Sequence, residues 1–378
     1  MTPRAIVAGA VAAKPGNAGG VWERLSCAEG LRRLGYDVTF LEEVSERPSA
    51  AAEAWFSTSM REFGIREAAM VARDGWALGG DRDGLRRSIG DASILINLSG
   101  NLTSPDLLEA APQTAYVDVD PGYTQVWHAD PSIPFTVPRH DHYFTIGENI
   151  GRPGCPIPTG GLLWKSTRQP VLLDRWPVSP PPRRRRFTTI ASWRGPYGPL
   201  VHDGVTYGQK VHEFRRVIEL PKQLDATFEL ALDIHDADAR DRDALRSAGW
   251  GLVRPDEAVP TPNAFRDYVQ GSDAEFSVAQ GVYAHARTGW FSDRSTRYLA
   301  SGRPVLVQET ALAVIPIGEG IVTFRSLDEA VDGARRIIDN YQVHSRAARA
   351  IAESCFAAER VLARLLADVG LAPPNPVS

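Results

Sequence analysis

An unbroken apolar run near the start of the chain does most to limit what the chain can become. Residues 4–11, "RAIVAGAV", are followed by the Gly-containing stretch "AAKPGNAGG", then by "VWERLSCAEGLRRLG", then by "YDVTFLEE". The first run has no polar alternation, so it suits a strand covered on both faces, the environment of a parallel sheet. In the next stretch Leu25, Ala28, Leu31 and Leu34 recur at helical spacing, and Gly35 stands where a helix would stop. Strand, loop, helix, glycine, strand makes a βαβ unit, and such a unit commits the chain to helices packed on a parallel sheet. Further strands are predicted at "SILINL" (93–98), "TAYVDVD" (114–120) and "HYFTIG" (142–147). The charge-rich stretch around 50–90 reads as helical.

The alternation breaks at "KSTRQPVLLDRWPVSPPPRRRR", residues 165–186, where prolines among charges disfavour both a helix and a central strand. It reads as a linker, and the run Arg183–Arg186 as its solvated end. Alternation then restarts, with strands predicted at 187–193, 227–234, 250–253, 275–279, 304–308 and 321–324, and helices at 208–220 and 262–271. Residues 327–368 are mostly helical in pattern. With 378 residues, two cores are expected rather than one. The expected fold is α/β: two doubly wound, Rossmann-like domains at 1–164 and 187–345, joined by the linker 165–186. The closing helix and tail, 346–378, are expected to pack back toward the first domain. Ligands in such sheets bind beyond the carboxyl ends of the strands, and a cleft between two facing domains is the natural site.

Composition narrows the function. A formal charge of −4 gives no footprint for nucleic acid or an acidic membrane, and no apolar run reaches the length of a bilayer crossing. Cys27, Cys155 and Cys355 lie far apart without Cys-x-x-Cys or Cys/His spacing. That predicts neither a disulfide framework nor a metal site, and fits a reducing cytoplasm.

Two stretches carry a resemblance. "PGNAGGVWERLSCAEGLRRLGYDVTFLEE" resembles the opening of GT-B glycosyltransferases. "YVQGSDAEFSVAQGVYAHARTGWFSDRSTRYLASGRPVLVQET" resembles their donor-binding half, and also resembles bacterial glycosyltransferase-like proteins with "GWFSDRS" and "YLASGRPV". The resemblance implies two domains facing a central cleft and a metal-independent glycosyltransferase of the hexosyltransferase type. It would use a nucleoside-diphosphate sugar as co-substrate rather than a bound cofactor. A sugar-nucleotide 2-epimerase of the same fold, or a binding protein without turnover, are the alternatives. Retaining members carry two glutamates eight positions apart, and here those positions hold Gly289 and Arg297. Retention or inversion stays open, and Glu309 becomes the candidate for the ribose contact. No residue pattern names the acceptor or an oligomeric state.

Site candidates follow. Asp293, Arg294, Ser295 and Thr296 open a helix that Gly302 and Pro304 close. Such residues cap helices, and the alternative is that the exposed amides and hydroxyls cradle a diphosphate. The resemblance implies that Arg194, in "IASWRGPYG", and Lys210, in "YGQK", meet the diphosphate charge. Gly19 and Gly20 allow close backbone approach at the first strand–helix turn. His235, in "ALDIHDAD", ends a strand of the second domain near the expected donor. "YVDVDPGYTQ" sets Asp118 and Asp120 on one strand face, and "RHDHYFTIG" adds His140, Asp141 and His142. Of these Asp120 is the first candidate for the general base and His142 the second. "SGNLTSP" (99–105) is a candidate for acceptor contact, and Trp193 and Trp290 for stacking.

Overall fold

The computed structural model describes residues 2–180 and 185–375, so Arg183 and Arg184 of the basic run lie outside the described residues. The chain divides into two compact units. Unit 1 is Met1–Ile146, Thr159–Leu172 and Phe356–Ser378; unit 2 is Gly147–Pro158 and Leu173–Cys355.

Unit 1 holds an eight-stranded sheet. Its strands are β1 (Arg4–Ala8), β2 (Asp37–Val44), β3 (Glu67–Ala72), β4 (Ala77–Leu78), β5 (Ile94–Leu98), β6 (Thr114–Asp118), β7 (His142–Thr145) and β8 (Trp164–Ser166). Their order is β4-β3-β2-β1-β5-β6-β7-β8, parallel except for the β3–β4 hairpin. Strand order reverses between β1 and β5, as doubly wound sheets require. Helix α1 (Ala18–Arg33) begins earlier than predicted. Asn17 accepts from the Gly20 amide and caps it, which draws Gly19 and Gly20 out of the loop and into the first turn. The stretch 50–90 is not helical throughout. Helices α2 (Ala50–Glu62) and α3 (Arg82–Gly90) flank β3, whose "EAAMVA" contains a single β-branched residue and so gives little strand signal.

Unit 2 holds a six-stranded, wholly parallel sheet and a separate hairpin. The strands are β9 (Arg186–Ser192), the hairpin β10 (Leu200–His202) and β11 (Val205–Tyr207), β12 (Thr227–Asp233), β13 (Gly251–Val253), β14 (Ala274–Ser277), β15 (Val305–Gln308) and β16 (Ile321–Phe324). The order β13-β12-β9-β14-β15-β16 repeats the reversal, here between β9 and β14. Its core is aromatic: Phe187 stacks on Phe228 at 5.0 Å, Phe276 on Phe324 at 5.3 Å, and Trp250 packs between Phe214, Phe228 and Phe276. Full burial of each such ring contributes up to about 3 kcal/mol.

Sequence order and unit membership part company at three places. Lys165 and Ser166, the expected start of the linker, pair with β7 as part of β8. Gly147–Pro158 packs into unit 2, because Asn149 donates to the carbonyls of Arg287 and Ala311 while Glu148 accepts from the amides of Ala313 and Val314. The helix Tyr341–Ile351 stays with unit 2, and a π-helical turn at Ala352–Phe356 carries the chain back to unit 1. There the helix Ala358–Asp368 lies on α1 so closely that a Cβ on Gly30 would sit 2.5 Å from Leu362.

Candidate functional site

Where strand order reverses in unit 2, the loops leaving β9 and β14 come together. The helix Asp293–Ala300 starts beside them, and its N-cap, Ser292, makes no side-chain capping bond. The N-cap hydroxyl thus leaves the amides of the first turn without a bond from it, and Asp293 is the acidic residue of that turn. A shallow recess open to solvent lies there, lined by Ser277, Ala279, Trp290, Ser295, Gln308 and Thr310 among others. Ser295 is fully buried, and its Oγ has no hydrogen-bond partner. A buried hydroxyl without a partner is costly, and its place in the recess wall is where a ligand oxygen would satisfy it.

Two basic residues, Arg294 and Lys210, lie near Glu275 at this end of the sheet. Arg294 donates to Glu275 Oε1 (2.6 Å), to the Ile190 carbonyl (2.7 Å) and to Ser277 Oγ (2.6 Å). It thus ties the ends of β9 and β14 together and backs one wall of the recess. Lys210 stands beside this pair. Desolvation, with the Arg294 guanidinium adding repulsion and Glu275 opposing it, pushes the Lys210 ammonium down to about 7. The residue keeps part of its surface in solvent, which tempers the cost without reversing its sign. Two cations therefore share one carboxylate, whose second oxygen has no partner.

Two glutamines missed by the sequence reading hold these loops. Gln280 accepts from the Lys210 amide (2.6 Å) and donates to the Arg194 carbonyl (3.2 Å). Gln308 accepts from the Ala279 amide (3.0 Å) and donates to Glu213 (2.7 Å). Their only signal in the sequence is an amide side chain at the carboxyl end of a predicted strand. Gly281 packs on Gly208 with its amide 2.9 Å from the Gly208 carbonyl, and a Cβ there would fall 2.5 Å from that oxygen.

The other predicted residues of unit 2 are distributed unevenly. Arg194 leaves β9 with its guanidinium bonded through two nitrogens to Asp238 and 3.4 Å from Gln209 Oε1, and its side chain stays about half exposed at 48%. That pairing holds the Asp238 carboxyl below the usual range. Asp293 pairs with Arg297, and the Thr296 hydroxyl donates back to the Asp293 carbonyl, so neither side chain lines the recess. Glu309 accepts from the Ala311 amide while its neighbours Gln308 and Thr310 face the recess. His235 is exposed and caps Ala237. Trp193 is buried and donates to Asp241, whereas Trp290 stacks on Tyr283 at the recess.

In unit 1 the carboxyl ends of the strands are bound by the chain's own carboxylates. Glu42 accepts from the amides of Val11, Ala12 and Ala13 at 2.7–2.9 Å. Burial nonetheless raises its carboxyl. Glu43 bonds both the amides and the hydroxyls of Thr103 and Ser104, so "SGNLTSP" is pinned as a structural turn. Gly20 has its amide on Asn17, so one of the two glycine amides expected to face a phosphate is already committed. Asp118 is buried and accepts from the Asp120 amide, Thr124, Gln125 and Thr145. Asp120 emerges past the end of β6, half-buried.

His142 opens β7 at the opposite, amino end, paired in register with Ala115, and accepts from Gln113. Strand rise puts Asp120 and His142 roughly 16 Å apart, so the structure does not bring the two catalytic candidates together. His140 is buried between Asn97 and the Pro138 carbonyl, and burial lowers its pKa. Asp141 caps Thr114. Among the described residues no group of three His, Cys, Asp or Glu side chains is placed to hold a metal ion, and no helix is long and apolar enough to cross a membrane.

No family model and no curated protein matches the chain. Solved structures do. HepE of Anabaena, in complex with UDP and glucose, matches with a TM-score of 0.58 at 11% identity, over 97% of this chain and 99% of that one. AviGT4, a glycosyltransferase involved in avilamycin A biosynthesis, matches at 0.59 and 14%, over 97% and 96%. An α-glucosyltransferase in complex with UDP and a 13-mer DNA matches at 0.59 and 8%, over 98% and 100%. At these identities the likeness concerns architecture, and it gives the chain the fold of the GT-B glycosyltransferases.

Proposed function

We propose that the chain is a glycosyltransferase that takes its sugar from a nucleoside-diphosphate donor held in unit 2. One observation carries this reading: the buried, unpartnered Ser295 hydroxyl in a recess at the start of the helix Asp293–Ala300, whose Ser277 wall is held by Arg294. A diphosphate suits such a place. Amide N–H groups and a hydroxyl donate to its oxygens, and nearby cations offset its charge. As the sugar leaves, charge grows on the β-phosphate, and donors already fixed in position lower that barrier. In this reading Lys210 and Arg194 neutralise the pyrophosphate without a metal, Glu309 is the ribose contact, and Asp120 takes the acceptor proton. UDP or UDP-glucose occupies HepE structures of the same fold, which supports a nucleotide-sugar as the donor class.

The test is a thermal-shift screen against UDP-, GDP- and dTDP-sugars, followed by product analysis of any donor that stabilises the protein. The expected result is a raised Tm with one nucleotide class and slow release of the nucleoside diphosphate. Conversion of the donor sugar with no acceptor present would instead indicate an epimerase. No stabilisation by any nucleotide-sugar would overturn the reading.

A further inference from the structure

Arg287 and Ala311 of unit 2 hold a left-handed backbone, with φ of 54° and 65°, although neither is glycine. Such a conformation is costly for a residue with a Cβ, and it persists where the surroundings over-determine it. Both residues belong to the loops beside the start of the helix Asp293–Ala300. Arg287 follows the helix Gly281–His285 and its C-cap Ala286, and it begins the loop that carries Trp290 into the recess wall. Ala311 sits between Thr310 and Leu312 of the same wall.

One side chain meets both turns. The Asn149 side-chain amide donates to the Arg287 carbonyl (2.9 Å) and to the Ala311 carbonyl (2.8 Å), which occupies both of its N–H groups. Around it the backbone closes a seam. The Asn149 N–H donates to the Thr288 carbonyl (3.0 Å), and the Gly289 N–H to the Thr310 carbonyl (2.8 Å). The Thr310 hydroxyl then donates to the Trp290 carbonyl (2.6 Å), which ties the two loops to each other. The fit is close, since a Cβ on Gly289 would fall 3.0 Å from both Asn149 Nδ2 and Glu148 Cβ. Asn149 is not part of the recess wall, so it acts through the loops it holds. We infer that Asn149 is a positioning residue for the donor, a role that rests on the donor reading of this recess: it keeps Arg287 and Ala311 in left-handed turns and so sets where Trp290 and Thr310 stand.

Calorimetric titration of UDP-, GDP- and dTDP-glucose into the full chain tests the role. Without Asn149 the two turns relax, only a fraction of the molecules keeps the binding geometry, and apparent affinity falls by that fraction. Asn149→Ala should therefore weaken whichever donor binds the wild type by about tenfold. Glycine adopts a left-handed turn without strain. Adding Arg287→Gly and Ala311→Gly to Asn149→Ala should thus recover about threefold or more, a rescue that a purely structural loss would not show. Melting curves establish that each variant is folded. If Asn149→Ala is not, Ala311→Val decides, because a β-branched residue disfavours positive φ while Asn149 stays intact; it should weaken the donor about fivefold. Unchanged affinity in folded Asn149→Ala, or in Ala311→Val where that variant decides, overturns the positioning role and leaves the donor reading standing. So does a loss that the two glycines leave unrepaired. No binding of any of these donors to the wild type overturns the donor reading itself, and the role with it.

Discussion

Lys210 is the residue whose charge is least secure. Its ammonium is pushed down to about 7, below the ordinary lysine range, so between these limits the unfolded chain holds a proton that the folded chain lacks. The sign follows directly: stability without ligand should rise as pH climbs from about 7 toward the ordinary lysine range, and Lys210→Met should flatten that rise. Binding a diphosphate favours the charged form, so above about pH 7 it should draw in a proton, and affinity should fall as pH rises. Calorimetry in buffers of differing ionisation enthalpy checks both the uptake and its loss in Lys210→Met. Arg194 differs in kind, being half exposed and oriented by Asp238 rather than buried. Arg194→Ala should weaken a nucleotide-sugar by about tenfold while leaving the Tm little changed. A large fall in Tm with unaltered affinity would make Arg194 a purely structural partner of Asp238.

Elements in this protein are fastened by single side chains at strand ends. Glu42 holds three successive amides of the loop after β1, and Glu42→Gln should cost about 2 kcal/mol in denaturant unfolding. Gly281 allows the loop after β14 to lie against Gly208, and Gly281→Ala should cost about 1–3 kcal/mol and weaken the proposed donor site. Such fastenings explain what could be read in advance. Strands such as Arg4–Ala8 and Val305–Gln308 were legible because each holds at least three apolar residues in succession. β3 was not, because Ala and Met carry little strand preference and its burial is imposed by β2 beside it. Gly19 and Gly20 read as loop until Asn17, one short side chain, is seen to start the helix before them. Ser295 was legible as a helix-start residue, but the absence of a partner for its hydroxyl is a property of packing alone. His142 read as the second candidate for the general base; parallel pairing sets it at the amino end of β7, opposite the end where Asp120 emerges.

At the scale of the molecule, the restart of alternating strands and helices after residue 186 announced two doubly wound sheets, and both have the expected reversal of strand order. Unit membership was harder to read. Gly147–Pro158 joins unit 2, away from its neighbours in sequence, through contacts such as Asn149 to the Arg287 carbonyl that no local pattern encodes. What the whole account depends on is small: a recess in unit 2 where a lone hydroxyl and a helix start, with two partly buried basic residues near them, are proposed to hold a diphosphate. Calorimetric titration of UDP-glucose, with GDP- and dTDP-sugars in parallel, into the wild type and into Ser295→Ala tests it most directly. Saturable binding of one donor, weakened about tenfold in a fully folded Ser295→Ala protein, is the predicted result. Binding of equal strength in both proteins, or of no donor to either, would contradict it.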